Sequence, residues 1–265
     1  MEQAKVIPQA AVDVDPRAMA GTTREPLTRR DLAEPLAVDA AGRPSHWDQL
    51  ALASGGLFVI VILSLAPLAP LPLGPDATTA QLSGWFETHR AAVVLQASLR
   101  GVAGLLQLVF AASLVGMITR AQGRVGILAL LAFGGTLGGT LMVLLSNAVI
   151  ATAALVAGPG TEPGMIRGLD TLARMLTTFD DVPWALQYGA ASLALLRIRA
   201  VPTWLACLGL VAALLLLVHA ATGPGADASS PLPFILGMLG FALSLVWLLT
   251  TSGALVWRAR VSTPG

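Results

Sequence analysis

Residues 196–221 read LRIRAVPTWLACLGLVAALLLLVHAA, in which two arginines and a proline lead into a long apolar run that holds one histidine. An α-helix needs about 20 apolar residues to cross a hydrocarbon core of roughly 30 Å. Comparable runs occur at residues 50–72, 91–118, 126–157, 176–196, 203–221 and 233–256. The sequence therefore predicts an all-α fold, a polytopic transmembrane helical bundle with six spans.

The composition of the whole chain is typical of a membrane protein. Hydrophobic residues make up 55% of it, charged residues make up 12%, and its mean hydropathy is +0.75. A soluble domain carries about 25% charged residues. The formal net charge of +1 and the lack of a basic stripe argue against a nucleic-acid partner. The single cysteine, Cys207, allows no intramolecular disulfide, and its apolar neighbours predict a small buried side chain.

The arginines between the apolar runs predict which way the bundle faces. If the N-terminus is cytoplasmic, the inner segments hold twelve basic residues and the outer loops hold three. The inner set is Lys5, Arg17, Arg24, Arg29, Arg30, Arg43, Arg120, Arg124, Arg197, Arg199, Arg258 and Arg260, and the outer set is Arg90, Arg167 and Arg174. We therefore expect both termini in the cytoplasm. One lysine against fifteen arginines is typical of a GC-rich bacterial genome, so the expected location is a bacterial cytoplasmic membrane.

The chain divides into a tail, a membrane domain and a short end segment. Residues 1–44 carry six basic and seven acidic residues and no apolar run, which predicts a disordered cytoplasmic tail. Residues 45–258 form the predicted six-helix membrane domain, and residues 259–265 form a short cytoplasmic tail. Residues 79–90 place several apolar side chains on one side of a helical wheel, which predicts an interfacial helix leading into the second span.

Several polar residues interrupt the spans at similar depths. The candidate polar cluster consists of Arg100, Asn147, Asp180, Asp181, Gln187 and His219. Counted at 1.5 Å per residue from the cytoplasmic ends, five of these residues lie about 24–33 Å up, and Gln187 lies at about 15 Å. The cluster therefore belongs to the outer half of the predicted bundle.

An ionisable residue inside a span is costly, so it usually faces the bundle interior or a water-filled cavity. The simplest arrangement pairs Arg100 with Asp180 or Asp181, with Asn147 and His219 nearby. In a second interpretation Arg100 extends to the outer interface and the aspartates mark a helix start. In a third, the cluster is a solute or proton site.

His219 is the one histidine in a span, which excludes a bis-histidine haem and leaves a structural residue or a ligand. No cofactor or metal site is predicted.

The third span carries four glycines in the sequence GGTLGG at residues 134–139. Gly134, Gly135, Gly138 and Gly139 form two overlapping small-xxx-small pairs, which let another helix approach closely. The pattern predicts a helix-packing face, either inside the bundle or at a dimer interface.

The sequence contains none of the common catalytic motifs. H-E-x-x-H, G-x-x-x-x-G-K-[ST] and G-x-S-x-G are all absent, so the sequence does not favour an enzyme. One hypothesis is a small-solute transporter or sensor that uses the polar cluster. The other is a non-catalytic interaction or regulatory protein that acts through its cytoplasmic tail or within a complex. The expected partners are the lipid bilayer and either a small solute from the outer side or a cytoplasmic protein.

The segment from Leu196 to Leu205, followed by Gly209, resembles a recurring feature of an uncharacterised family of bacterial six-span membrane proteins, classed as a domain of unknown function. In that family a short basic inner turn, a Pro-x-Trp-Leu start and a glycine open the fifth helix. The resemblance would cover roughly residues 50–257. It implies the six-span architecture, and it implies no activity.

Overall fold

The computed structural model describes residues 46–70, 73–74, 76–223 and 232–261. Over these ranges the chain is helical and contains no β-strand. The helices are α1 (His46–Leu65), α2 (Thr79–Gln122), α3 (Ile127–Val156), α4 (Pro163–Phe179), α5 (Asp181–Arg197), α6 (Thr203–Thr222) and α7 (Leu232–Val261), with a 3-10 turn at Ala66–Leu68. The predicted disordered tail, residues 1–44, lies outside the described residues, as do residues 262–265 of the predicted end segment.

Five described helices are long and apolar enough to cross a membrane. They are Trp47–Leu68, Thr79–Gln122, Ile127–Val156, Thr203–Thr222 and Leu232–Ala259. Large apolar side chains on these helices are exposed at the protein surface, among them Ile60, Val102, Leu141, Leu214 and Phe234. Soluble monomers rarely expose extended apolar surfaces of this kind. The described chain is therefore that of a multi-pass integral membrane protein.

The fourth predicted span, residues 176–196, is not a single helix. α4 ends at Phe179 and α5 begins at Asp181. The break occurs because Pro183 has no N–H to donate to the carbonyl of Phe179, four residues earlier. α5 has 17 residues, about 25 Å of helix, which is marginal for a crossing. α4 occupies a segment that the sequence predicted to be mostly outer loop.

The predicted interfacial helix at residues 79–90 is not separate from the second span. α2 runs without a break for 44 residues, about 66 Å, which is roughly twice the thickness of a hydrocarbon core. Its N-terminus has a capping box, in which Gln81 N–H donates to Thr78 Oγ1 at 3.3 Å and Thr78 N–H donates to Gln81 Oε1 at 2.8 Å. Its C-terminus ends at Gly123 in the left-handed conformation, with φ 67°.

Six helices close into a ring in the order α1, α2, α3, α5, α6 and α7, and α7 contacts α1. Asp48 near the start of α1 forms an ion pair of 3.5 Å with Arg120 near the end of α2. This pair marks one end of the ring, which we call the arginine end because it holds Arg120, Arg124, Arg197, Arg199 and Arg258.

Cys207 is exposed on the surface of α6, so the predicted burial of this side chain is wrong.

The opposite end of the ring carries a helical cap, which we define as residues 79–97, 146–156 and 163–179. Its own buried core includes Leu82, Phe86, Val93, Ala153 and Ile166. The cap exists because α2 and α3 are both longer than a span requires and α4 packs against their ends.

Three arginines stabilise the cap by donating hydrogen bonds to backbone carbonyls. Arg90 donates to the carbonyl of Ala154 at 3.1 Å and to the carbonyl of Ala157, so it satisfies carbonyls at the end of α3 that have no helical partner. Arg167 and Arg174 of α4 donate to carbonyls of the segment that precedes α2. All three belong to the predicted outer set.

Candidate functional site

Asp181 and His219 meet at the cap end of the ring. Asp181 lies in the first turn of α5, and its Oδ2 contacts Nδ1 of His219 in the last turn of α6. α7 comes close to the same imidazole, since a Cβ placed on Gly237 would lie 2.8 Å from His219 Nε2. Three helices therefore enclose this pair. Across the described ranges, no three side chains of the His, Cys, Asp or Glu type converge to hold a metal ion.

The glycine face of α3 sets the position of α5. A Cβ on Gly135 would lie 2.6 Å from the carbonyl oxygen of Pro183, and one on Gly139 would lie 2.5 Å from the indole of Trp184. Gly138 likewise contacts the ring of Pro183, whereas Gly134 has no neighbour within 4 Å of its Cβ position. Three of the four predicted glycines therefore pack against α5 of the same chain.

Asp180 is buried beside this contact. It is 8% exposed, and its carboxylate lies close to the indole of Trp184. Trp184 stacks on Tyr188 one turn further along α5, with ring centroids 6.4 Å apart. Asp180 therefore flanks a line of polar and aromatic side chains that begins at Asp181 and continues along α5 into the ring.

That line, which we call the polar seam, runs from the cap end towards the arginine end. It consists of Asp181, His219, Gln107, Gln187, Tyr188, Ser192, Ser244, Trp247, Thr251 and Ser252, which α2, α5, α6 and α7 supply. Gln107 Nε2 donates to Gln187 Oε1 at 3.3 Å, and both side chains are buried. The hydroxyl of Tyr188 lies near Gln107 and Ser244, and its ring makes an edge contact of 5.4 Å with Trp247.

Several buried polar atoms of the seam have no partner among the side chains and backbone groups that the structure describes. They are Gln187 Nε2, Ser192 Oγ, Trp247 Nε1, Thr251 Oγ1 and Ser252 Oγ. Buried polar groups are nearly always hydrogen-bonded, and leaving one unsatisfied costs about 1–3 kcal/mol. Ser192 Oγ and Trp247 Nε1 both contact the Cβ position of Gly209, so two of these atoms reach the same point. The seam therefore holds donors and acceptors that lack a described protein partner, and two of them pack closely around Gly209 of α6.

The other predicted cluster residues lie apart from the seam. Among the described side chains Arg100 makes no ion pair with Asp180 or Asp181, because Asp181 faces α6 and its partner is His219. α2 reaches α5 at the Gln107–Gln187 hydrogen bond, and equal depth alone does not bring Arg100 to the aspartates. Asn147 is buried on α3 beside Ser146, whose hydroxyl contacts Thr177 Oγ1 of α4 at 2.9 Å.

Sequence reasoning missed most of the seam. Gln107, Ser192, Ser244 and Thr251 all interrupt predicted spans with polar groups, and that interruption is the signal by which they could have been found.

Comparison of the chain with family models, with curated proteins and with solved structures finds no match. The class is defined by the fold itself: a multi-pass helical membrane protein with an apolar outer surface and a buried polar seam.

Proposed function

We propose that the protein is a small-solute transporter, or a sensor of such a solute, that binds its ligand in the polar seam. The observation that supports this most is the set of buried polar atoms without a partner among the described residues. Polar groups inside a membrane protein are costly and usually mark a substrate or ion pathway. Asp180 and Asp181 at the cap end favour a neutral or cationic solute over an anionic one.

The proposal includes six spans and cytoplasmic termini. α5 occupies the place between α3 and α6 in the ring, which supports its role as a sixth, short span. The excess of basic residues at the arginine end supports a cytoplasmic location for that end, with the cap outside. The proposed location is a bacterial cytoplasmic membrane, and the solute would then reach Asp181 and His219 from the outer side.

Cysteine accessibility tests the proposal with a matched pair on α7. Ser244 is 3% exposed and faces the seam, whereas Val246, two residues on, is 48% exposed on the apolar surface. Both are changed to cysteine in a Cys207→Ser background, since the native thiol is exposed. A small, membrane-impermeant cationic methanethiosulfonate is then added to the outer side of intact cells, and labelling is measured as a mass shift.

We expect Ser244→Cys to be labelled and Val246→Cys to be spared, because only a hydrated pathway ionises the thiol. Asp181→Asn should slow the labelling by removing negative charge at the mouth of the seam. If Ser244→Cys stays unlabelled in the folded protein, the seam is a structural network and the proposal fails. Labelling of Ser252→Cys from the inner side as well distinguishes a transporter from a sensor.

The exposed face of α4 favours a second candidate, an interaction protein that works in a complex. Met165, Leu172, Met175 and Phe179 form an apolar stripe on the outside of the cap, while Asp170 on the opposite side of α4 is buried. A partner helix is one way to cover such a stripe. A photo-crosslinker at Leu172 should capture a partner in the membrane if this function is correct, and one at the exposed Thr171 should capture less of it.

A further inference from the structure

The arginine end of the ring holds a cavity that the polar seam does not use. It is a shallow, largely open depression with a volume of about 690 Å³, and it lies between the α5–α6 turn and the last turns of α7. Its lining includes Arg199, Pro202, Gly253, Ala254, Trp257 and Arg258. Charged side chains therefore border a mostly apolar hollow.

Arg199 adopts a backbone conformation that favours glycine. Its φ is 51°, and it occupies the position that ends α5, with Ala200 N–H bound to Leu195 O at 3.0 Å and its own N–H bound to Leu196 O at 3.1 Å. Helices that end in this way usually place glycine there, because a side chain costs about 1–2 kcal/mol in the left-handed region. The chain places an arginine there at that cost, and strained backbone positions of this kind are common at ligand sites.

α7 contacts this strained turn. Arg258 Nη1 donates to the carbonyl oxygen of Arg199 at 2.6 Å, so the two arginines lie on the same side of the cavity. Pro202, on the same wall, is the N-cap of α6, which places the positive end of that helix dipole at the cavity edge. The electrostatic character of the site is that of an anion receptor.

The apolar side of the cavity suits a lipid. Trp257 is 71% exposed and Trp204 at the start of α6 is 61% exposed, as expected for aromatic side chains at a membrane interface. Ala254 and Pro202 supply an uncharged surface below the arginines. A free phosphate would use only the charged wall, whereas a lipid would use both sides.

We propose that this cavity binds the headgroup of an anionic phospholipid. Arg199 holds the phosphate diester through charge-assisted hydrogen bonds, for which a guanidinium group is well shaped, and Arg258, bound to the carbonyl of Arg199, adds positive charge beside it. Trp257 and Pro202 contact the glycerol and the first methylenes of the acyl chains. Basic pockets between membrane helices bind such headgroups in general. This inference does not rest on the polar seam, whose Asp181 and His219 lie at the other end of the ring.

Two variants remove the site without disturbing the fold. Arg199→Gly deletes one phosphate ligand and relieves the strained backbone, so its thermal stability should equal or exceed that of the wild type. Gly253→Leu fills the cavity, since nothing lies within 4 Å of its Cβ position. Gly134→Leu is the matched control, because Gly134 is a helical glycine of α3 with equally open space.

The measurement is retention of phosphatidylglycerol by native mass spectrometry, with phosphatidylcholine and inorganic phosphate as separate arms. The wild type and Gly134→Leu should retain phosphatidylglycerol in preference to phosphatidylcholine, and inorganic phosphate should not displace it. Arg199→Gly should bind it about tenfold more weakly, as expected for the loss of a charge-assisted bond. Unchanged retention in Arg199→Gly overturns the proposal, and so does full displacement by inorganic phosphate.

Discussion

Gln107 of α2 donates a hydrogen bond of 3.3 Å to Gln187 of α5, although these two helices are not neighbours in the ring. The bond lies in the interior, and both side chains are buried. It links two sides of the ring that α3 otherwise separates. The same two amides therefore join α2 to α5 and belong to the proposed solute site.

Replacing one glutamine of this pair should be worse than replacing both. Gln107→Leu and Gln187→Leu each strand the other amide, which should lower the free energy of unfolding by about 1–3 kcal/mol. The double variant removes both polar groups at nearly constant volume, so its loss should be smaller than the sum. Unfolding of the purified protein in detergent measures this. Strictly additive losses would show that the two amides do not interact.

Gly135 and Gly134 should respond in opposite ways to the same change. Gly135→Ala puts a methyl group 2.6 Å from the backbone of α5, so we expect a clear fall in melting temperature. Gly134→Ala meets nothing within 4 Å, and alanine favours a helix by about 1 kcal/mol over glycine, so stability should be unchanged or raised. Equal effects of the two changes would contradict the packing of α3 on α5.

Asp181 should be coupled to His219 and not to Arg100. In a mutant cycle, Asp181→Asn and His219→Gln should show an interaction energy of more than about 0.5 kcal/mol, since the two side chains are in contact. Asp181→Asn and Arg100→Leu should add within about 0.5 kcal/mol. The free energy of unfolding is again the readout. The reverse result would restore the ion pair expected from depth alone.

Arg90→Met should loosen the cap while leaving the ring intact. The change removes two bonds from a charged donor to the end of α3, each of which contributes about 1.5–3 kcal/mol. Hydrogen exchange should quicken in residues 146–157 and stay slow in the ring helices. Arg124→Met, an exposed change at the arginine end, serves as the control. Uniformly faster exchange would mean that the cap and the ring unfold together.

The orientation is tested by one cysteine at each end of the ring, in the Cys207→Ser background. Glu162 is exposed beside the cap and Ala121 is exposed at the arginine end. An impermeant maleimide added to intact cells should label Glu162→Cys and leave Ala121→Cys unmodified until the membrane is opened. The opposite pattern would place the cap in the cytoplasm.

The sequence predicted those helices whose signals are local. The spans expected at 126–157 and 203–221 are observed as Ile127–Val156 and Thr203–Thr222, because apolar runs and their bounding Gly and Pro residues determine both ends. α4 was not predicted because its apolar residues follow one stripe of the helix, so no stretch of it is apolar throughout.

The site was predicted less well for a different reason. Counting residues gives depth along a helix axis, and Asp181 and His219, which it put at similar depths, are in contact. It carries no information on the direction in which a helix faces, and so it assigned Arg100 to the aspartates. Direction follows from the ring order, which depends on contacts between residues far apart in sequence, such as that of Gly139 with Trp184.

The unbroken length of α2 has a mechanical consequence. Arg90 in the cap and Gln107 in the seam lie on one helix without an intervening proline, about 26 Å apart along its axis. A force that tilts the cap would therefore be transmitted along α2 to Gln107 and to its hydrogen bond with Gln187. The cap and the interior of the ring are thus joined by one continuous helix.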